Sequence, residues 1–331
     1  MNRFLDLADL SREAVVDLLA FAQSLQDKPQ PTALAGKVLG LVFLNPSLRT
    51  LASFQAGMSR LGGDSFVITP GQGSWQLETR LSTVMNGNCA EHIREAIPVL
   101  ASYCDLLGVR AFAEGRNLQS DLAEPLFTMI DALCDKPLVN LESAVNHPCQ
   151  ALADWRTLDE LQVPRRGKFV LSWAYHPRPL PLAVPAATLH MAAMRGMEVV
   201  VLRPEGFALP PTIMEKARAA AAASGGAVSE TADRPAALAG ADVLYAKEWG
   251  TTAYYGDVEA DARLRADLGD WCVRERWFAG AAREAKLMHC LPVRRNVAVA
   301  DEVLDGSRAV VKREAFNRLV VQMAVLHRML A

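Results

Sequence analysis

The sequence has no C-x-x-C pair, no apolar run long enough to span a membrane and no excess of charge of either sign. Its six cysteines, at positions 89, 104, 134, 149, 272 and 290, are dispersed. That excludes a small disulfide-stapled scaffold and fits reduced thiols in a cytoplasmic protein. Every long apolar stretch meets Pro, Gly or a charge before spanning length, so no membrane role is expected. Met1–Leu10 lacks the apolar core of a secretory signal. The 35 basic and 37 acidic residues leave a net charge of −2, which excludes a field that would gather polyanions, and no nucleic-acid partner is expected. No glycine fingerprint follows a strand-like run: Ser224-Gly225-Gly226 precedes one instead, and G-x-x-x-x-G-K-[ST] is missing. Those absences weigh against a nucleotide-dependent oxidoreductase. No repeat, low-complexity segment or long linker occurs.

What is present is an alternation of short apolar runs and longer helical patterns. With 51% hydrophobic residues in 331, the chain can bury two cores. Strands are predicted at Val38–Leu44, Ser65–Thr69, Leu106–Ala111, Pro137–Leu141, Phe169–Trp173, Glu198–Leu202, Asp242–Ala246, Leu287–Leu291 and Ala309–Val311. Helices are predicted at Arg12–Leu25, Arg49–Leu61, Glu91–Tyr103, Asp121–Leu133, Pro148–Leu161, Ala183–Met194, Pro211–Ala223 and Glu314–Leu330. Continuous apolar strands separated by helices point to an α/β fold of two domains, each a mostly parallel sheet flanked by helices. The boundaries fall at 1–150, 151–312 and 313–331, the last a helix returning to the first domain. Ligands of such sheets collect at the carboxyl ends of the strands.

The chemistry-bearing residues stand at those ends. Asn45-Pro46-Ser47-Leu48-Arg49-Thr50 turns from a strand into a helix with Ser47 at the cap, so amide donors, two hydroxyls and a guanidinium can face one anion. Alone, it is equally a capped helix with a nearby arginine. Val109-Arg110-Ala111-Phe112 ends another apolar run in arginine. Glu142 and His147-Pro148-Cys149-Gln150 follow a third strand, where His and Gln can donate to a carbonyl or phosphate oxygen. No second histidine at metal-ligand spacing accompanies His147. In the second half, His289-Cys290-Leu291-Pro292-Val293-Arg294-Arg295-Asn296 closes a strand; its arginines suit a carboxylate or simply face solvent. Cys290 has no neighbouring base, which favours packing or binding over nucleophilic attack. The proline-rich Trp173–Pro181 carries His176 and Arg178, a ligand wall or a rigid connector.

Taken in order, these segments resemble the transcarbamylase family, specifically its N-acylornithine branch. Ser47-Leu48-Arg49-Thr50, His147-Pro148-Cys149-Gln150 and His289-Cys290-Leu291-Pro292 carry the likeness. Gly73–Glu78, Val109–Phe112, Tyr245-Ala246-Lys247 and Asn317-Arg318 fall in the family's order, so it runs from about Lys37 to Arg318. The resemblance implies carbamoyl transfer from carbamoyl phosphate to the side-chain amine of an N-acylated ornithine in arginine biosynthesis, without metal or organic cofactor. It implies that Ser47, Leu48, Arg49, Thr50, Arg110, His147, Gln150, Cys290, Leu291 and Arg318 bind carbamoyl phosphate, and that Trp75 reaches a neighbouring subunit of a homotrimer with shared sites. Glu142, His176, Lys247 and Arg294 would contact the acylornithine, and the second domain would carry a knot.

The resemblance also bears on the acyl group. Acetylornithine enzymes carry an acidic residue in the loop before a Glu-His pair, where this sequence has Ala90 ahead of Glu91-His92. Succinylornithine enzymes carry a non-acidic residue there, since a carboxylate would repel the distal succinyl carboxylate. Arg178 is then the candidate carboxylate partner. The expected substrate is N-succinyl-L-ornithine, with N-acetyl-L-ornithine as the alternative. Ala298 lacks the lysine of some acetylornithine enzymes. Leu51 stands where transcarbamylases usually have a second arginine, which keeps a non-catalytic trimeric paralogue open as a further reading.

Overall fold

The computed structural model describes residues 1–331 and divides into two compact units. The first comprises Met1–Ala113, Ser120–Cys149 and Arg318–Ala331; the second, Glu114–Gln119 and Gln150–Asn317.

In the first unit, β1 (Arg3–Phe4), β2 (Val38–Phe43), β3 (Asp64–Ile68), β6 (Leu106–Arg110) and β7 (Leu138–Glu142) form one sheet, while β4 (Leu77–Glu78) and β5 (Glu91–His92) pair by themselves. The sheet order is β1-β7-β6-β2-β3 and every pairing is parallel. Side chains of β2, β6 and β7 are buried almost without interruption, as a sheet covered on both faces requires. Gly40 in β2 is needed for space, because a Cβ there would lie 2.8 Å from the Phe66 ring. The helices are α1 (Arg12–Asp27), α2 (Leu48–Arg60), α3 (Ile93–Ser102), α4 (Leu118–Leu122) and α5 (Pro125–Leu133). Ile93, Ile97, Phe127 and Ile130 pack with Val42, Leu107 and Val109 of the sheet in a single core.

The chain then enters α6 (Pro148–Glu160) and the second unit. Its strands β8 (Lys168–Trp173), β9 (Glu198–Leu202), β10 (Ala227–Thr231), β11 (Val243–Lys247) and β12 (Lys286–Met288) form a second all-parallel sheet, ordered β10-β9-β8-β11-β12. The helices are α7 (Ala183–Arg195), α8 (Pro211–Ser224), α9 (Arg234–Leu238), α10 (Val258–Arg265), α11 (Asp301–Leu304) and α12 (Val311–Leu330). All thirteen residues of α7 are buried, which matches a sequence apolar except at Thr188, His190 and Arg195. Trp173 anchors the core against Phe207, with ring centroids 4.6 Å apart. No helix is long and apolar enough to cross a membrane.

Several elements depart from the sequence expectation. Asp121–Leu133 is two helices: Pro125 disfavours a right-handed helical conformation at Glu124, which takes φ 48° instead. Glu91 and His92 are strand, and His92 caps α3 through its own ring, accepting from the Arg94 amide. Ala309–Val311 is not a strand: Ala309 makes one isolated bridge to Leu287, and Val311 already begins α12. From Arg318 onward α12 belongs to the first unit, where Met323 and Leu326 lie against Gly57 of α2.

In each sheet the strand order reverses once. The first reverses between β2 and β6, the second between β8 and β11. Loops leaving neighbouring strands at such a point diverge and leave room for a ligand.

Candidate active site

In the first unit the reversal is where the motifs meet. Strands β2 and β6 are held together at their ends, with Phe43 opposite Arg110 and the Leu44 amide bonded to the Arg110 carbonyl at 3.0 Å. A register shift at Val109/Arg110 interrupts the β6–β7 ladder, a device that re-aims a side chain. The Asn45 side chain accepts from the Phe112 amide at 2.8 Å, so the two exit loops brace one another.

Beyond β2, Ser47 caps α2: its hydroxyl accepts from the Thr50 amide at 3.2 Å. The positive end of α2 therefore sits beside Arg49 and Thr50. Thr50 is fully buried, and Arg318 of α12 donates to its hydroxyl at 2.5 Å. Arg110 is ion-paired with Glu142 at the end of β7, and His147 Nε2 lies 3.4 Å from the same Glu142 oxygen. Arg49, Arg110, Arg318, Thr50, Glu142 and His147 thus form one cluster, with three guanidiniums to one carboxylate.

The electrostatics follow from that composition. Burial, then Arg318, Arg110 and Arg49, hold His147 well below the ordinary imidazole range, so its ring is neutral at neutral pH. Glu142 alone would favour the imidazolium, but it is already engaged by Arg110. Burial also lowers Arg318, and pushes Cys149 up to about 12. His147 Nδ1 and the Nε–H groups of Arg110 and Arg318 are buried without a protein partner. Unpaired donors beside concentrated positive charge suit a small, densely charged anion.

Leu48 is 80% exposed and Trp75 is 59% exposed, both outside this cluster. The Trp75 indole donates to the Glu91 carboxylate at 2.8 Å, which brings Trp75 beside the residue following Ala90. Ala90 itself is exposed. Glu142, expected among the acylornithine contacts, stands in the arginine cluster.

The second unit gathers its own set at the β8–β11 reversal. His176 follows β8 and is buried; its Nε2 accepts from Arg294 Nε at 2.9 Å, leaving Nδ1 to donate to the Arg178 carbonyl at 2.8 Å. Burial lowers the His176 pKa. Arg178 projects to solvent while Arg265 grips the carbonyls of His176 and Arg178, at 2.7 and 3.2 Å. Lys247, at the end of β11, donates to Glu248 at 2.9 Å, and His289 Nε2 lies 3.3 Å from the same oxygen. Burial would raise the Glu248 pKa, but Lys247 and His289 hold it well below the usual carboxylate range. His289 Nδ1 accepts from the Leu291 amide at 2.9 Å, and Leu291 adopts φ 60°, a conformation rare for leucine. Cys290 is buried between them. Arg295 is committed to Asp301 and Asp305, both at 2.7 Å, and serves the loop.

Gln150 opens the second unit. Its Nε2 donates to Asp154 and Glu314, while its Oε1 is buried without a partner. Glu248, Asp154 and Glu314 were not singled out in the sequence. The position of Glu248 directly after β11 is a signal; Asp154, in the middle of α6, and Glu314, in the first turn of α12, carry none.

Two family profiles span the chain. The aspartate/ornithine carbamoyltransferase carbamoyl-P binding domain matches residues 2–160, and the Asp/Orn binding domain of the same family matches residues 184–329. The N-acetylornithine carbamoyltransferase of Xanthomonas campestris pv. campestris is 38% identical over 330 residues, covering 98% of this chain and 97% of that protein. The N-succinylornithine carbamoyltransferase of Bacteroides fragilis is 38% identical over 294 residues, covering 89% and 87%. A crystal structure of acetylornithine transcarbamylase complexed with acetylcitrulline superposes with a TM-score of 0.95 at 37% identity, covering all of both chains. A Glu-to-Ala variant of N-acetyl-L-ornithine transcarbamylase, complexed with carbamyl phosphate and N-succinyl-L-norvaline, gives the same TM-score at 38% identity, covering 99% of this chain and all of that one. The chain therefore belongs to the aspartate/ornithine carbamoyltransferase family and stands with its N-acylornithine branch.

Proposed function

We propose that the protein transfers the carbamoyl group of carbamoyl phosphate to the side-chain amine of N-succinyl-L-ornithine, giving N-succinyl-L-citrulline and phosphate in arginine biosynthesis. The observation that carries the donor half is the cluster of part-buried Arg49 with buried Arg110 and Arg318, the Nε–H groups of Arg110 and Arg318 being left unpartnered. Those groups, the Thr50 hydroxyl and the start of α2 take the phosphate. The neutral amine attacks the carbamoyl carbon, a C–N bond forms, the C–O bond to phosphate breaks, and the departing phosphate takes the amine proton. Charge developing on the carbamoyl oxygen falls beside the Thr50 hydroxyl and the arginines. Gln150 Oε1 accepts from the carbamoyl N–H₂. His176, Lys247 and Arg294 hold the acylornithine, with Cys290 and Leu291 bordering the carbamoyl group. Each copy lends Trp75 to a neighbour in a cytoplasmic homotrimer.

The succinyl reading is supported by Ala90, which the sequence resemblance sets where acetylornithine enzymes carry an acid. In a relative, replacement of one glutamate accompanies a complex with a succinyl compound. Exposed Arg178 supplies a cation for the distal carboxylate. N-acetyl-L-ornithine is the second reading, favoured by acetylornithine relatives that match 98% of the chain at the same identity. Product formation from carbamoyl phosphate with succinylornithine, acetylornithine and ornithine in parallel separates the two. Preference for the succinyl compound is expected; preference for the acetyl compound gives the second reading, and no turnover by a folded trimer gives a non-catalytic paralogue.

A further inference from the structure

Three side chains within the second unit meet where no solvent reaches: Gln150 and Asp154 on α6, and Glu314 on α12. They are 1%, 0% and 1% exposed. The Gln150 Nε2 stands 2.7 Å from Asp154 Oδ1 and 3.0 Å from Glu314 Oε1, so the two carboxyls share a single donor nitrogen. The remaining partners come from three further elements. Thr188 of α7 donates to Asp154 at 3.3 Å, Tyr245 of β11 donates to Glu314 at 3.3 Å, and the His289 amide, just past β12, donates to the other Glu314 oxygen at 3.0 Å. Every one of these partners is neutral.

We propose that Asp154 and Glu314 are a proton-sharing carboxyl pair whose task is to orient the Gln150 amide and the His289–Leu291 segment, which makes both acids positioning residues for carbamoyl transfer. The inference rests on the reading of Gln150 as a carbamoyl contact. Two ionised carboxylates beside one amide, without a cation, would repel strongly in a dry interior. One shared proton leaves a single charge, solvated by an amide, two hydroxyls and a backbone N–H. Burial acts in the same sense on each acid, raising Asp154 to about 7 and Glu314 well above the ordinary range. Tyr245, the titratable group hydrogen-bonded to the pair, is itself held protonated by burial and has Cys290 near it.

The consequence concerns which end of Gln150 is presented. A flipped amide would turn its oxygen toward two acceptors and lose both hydrogen bonds, so the pair fixes the nitrogen inward. Gln150 Oε1, buried and unpartnered, is thereby held as an acceptor, the complement of a carbamoyl N–H₂. The same Glu314, through the His289 amide, sets the backbone that leads into Cys290 and Leu291.

The test combines infrared spectroscopy with kinetics. At neutral pH the difference spectrum between parent and Glu314→Gln should show a protonated-carboxyl C=O band that the variant lacks. A glutamine keeps the volume, a neutral donor and one of the two acceptor oxygens, so Glu314→Gln should stay far closer to the parent than Glu314→Leu, with kcat/KM within about threefold. Glu314→Leu leaves Asp154 and Gln150 without that partner, and should raise the KM for carbamoyl phosphate roughly 10–100-fold, the scale of losing hydrogen bonds to a charged group. Absence of the band overturns the pair whatever the kinetics. Equal losses in Glu314→Gln and Glu314→Leu, or a parent-like Glu314→Leu, overturn the positioning role. If Glu314→Leu does not fold, the band and the glutamine variant decide. A parent that binds no carbamoyl phosphate fails the functional reading instead, and the infrared result distinguishes that failure from a missing pair.

Discussion

Arg318 donates to the Thr50 hydroxyl at 2.5 Å, although 268 positions separate them in the chain. The contact joins α12 to the first turn of α2 and sets a guanidinium beside the capped helix start. Under the proposed function that turn of the last helix serves the donor site, so changes there should act on carbamoyl phosphate rather than on the amine substrate.

Arg49 is the most direct test of the phosphate cluster. Arg49→Ala should lower kcat/KM by roughly 10²–10³-fold or more, the usual scale for removing one preorganised donor to developing charge. Circular dichroism and the thermal midpoint should stay close to the parent, since Arg49 is only partly buried at the helix start. Near-normal turnover removes Arg49 from the site.

Thr50→Val separates hydroxyl from shape. The change retains the branched volume but removes the acceptor that Arg318 uses, leaving a buried guanidinium with one contact fewer. A loss of about 1–3 kcal/mol in stability is expected from the unpaired donor, together with weaker carbamoyl phosphate binding in calorimetry. Unchanged binding would show that the Arg318–Thr50 contact is structural alone.

Ala90→Glu should shift selectivity from the succinyl toward the acetyl substrate by on the order of tenfold or more, since like charges at a binding surface cost several kcal/mol. Competition between the two amines at equal concentration reads the shift. Unchanged selectivity makes the position irrelevant to the acyl group.

His147 gives a signed pH dependence. Its folded pKa lies well below the ordinary 6.5, so as pH falls through 6.5 the unfolded chain takes a proton that the folded chain refuses. Stability contributed by the neutral ring is present above that value and is lost toward acid, with a limiting slope of about 1.4 kcal/mol per pH unit. His147→Gln should flatten the acid limb of urea midpoints below that pH relative to the parent. Asp154, raised to about 7, has the opposite slope, so the difference between variant and parent is the quantity that counts. Parallel limbs would show that His147 does not titrate between the two states.

Much of this arrangement was legible from the sequence because fully buried parallel strands read as uninterrupted apolar runs. Glu198–Leu202 reads as a strand to the residue for that reason, and the place of Ser47 between strand and helix marks it as a cap. Pro125 is a local signal of the same kind, since a proline disfavours a helical conformation at the residue before it, Glu124. The helix Val258–Arg265 escaped because its charged residues give no clear apolar stripe. Pairings such as Asp154 with Glu314 have no local signature at all. They join residues 160 positions apart, and a helical acid looks the same in sequence whether it meets water or another carboxyl.

The claim that matters most is that the arginine cluster of the first unit holds the phosphate end of carbamoyl phosphate. Calorimetric titration of carbamoyl phosphate into the parent protein and into Arg318→Ala measures it without the amine substrate. The account predicts one binding event per chain in the parent and its loss, or a weakening of roughly 10-fold or more, in a variant that still folds. Equal affinity in both proteins, or no binding by the parent, would contradict it.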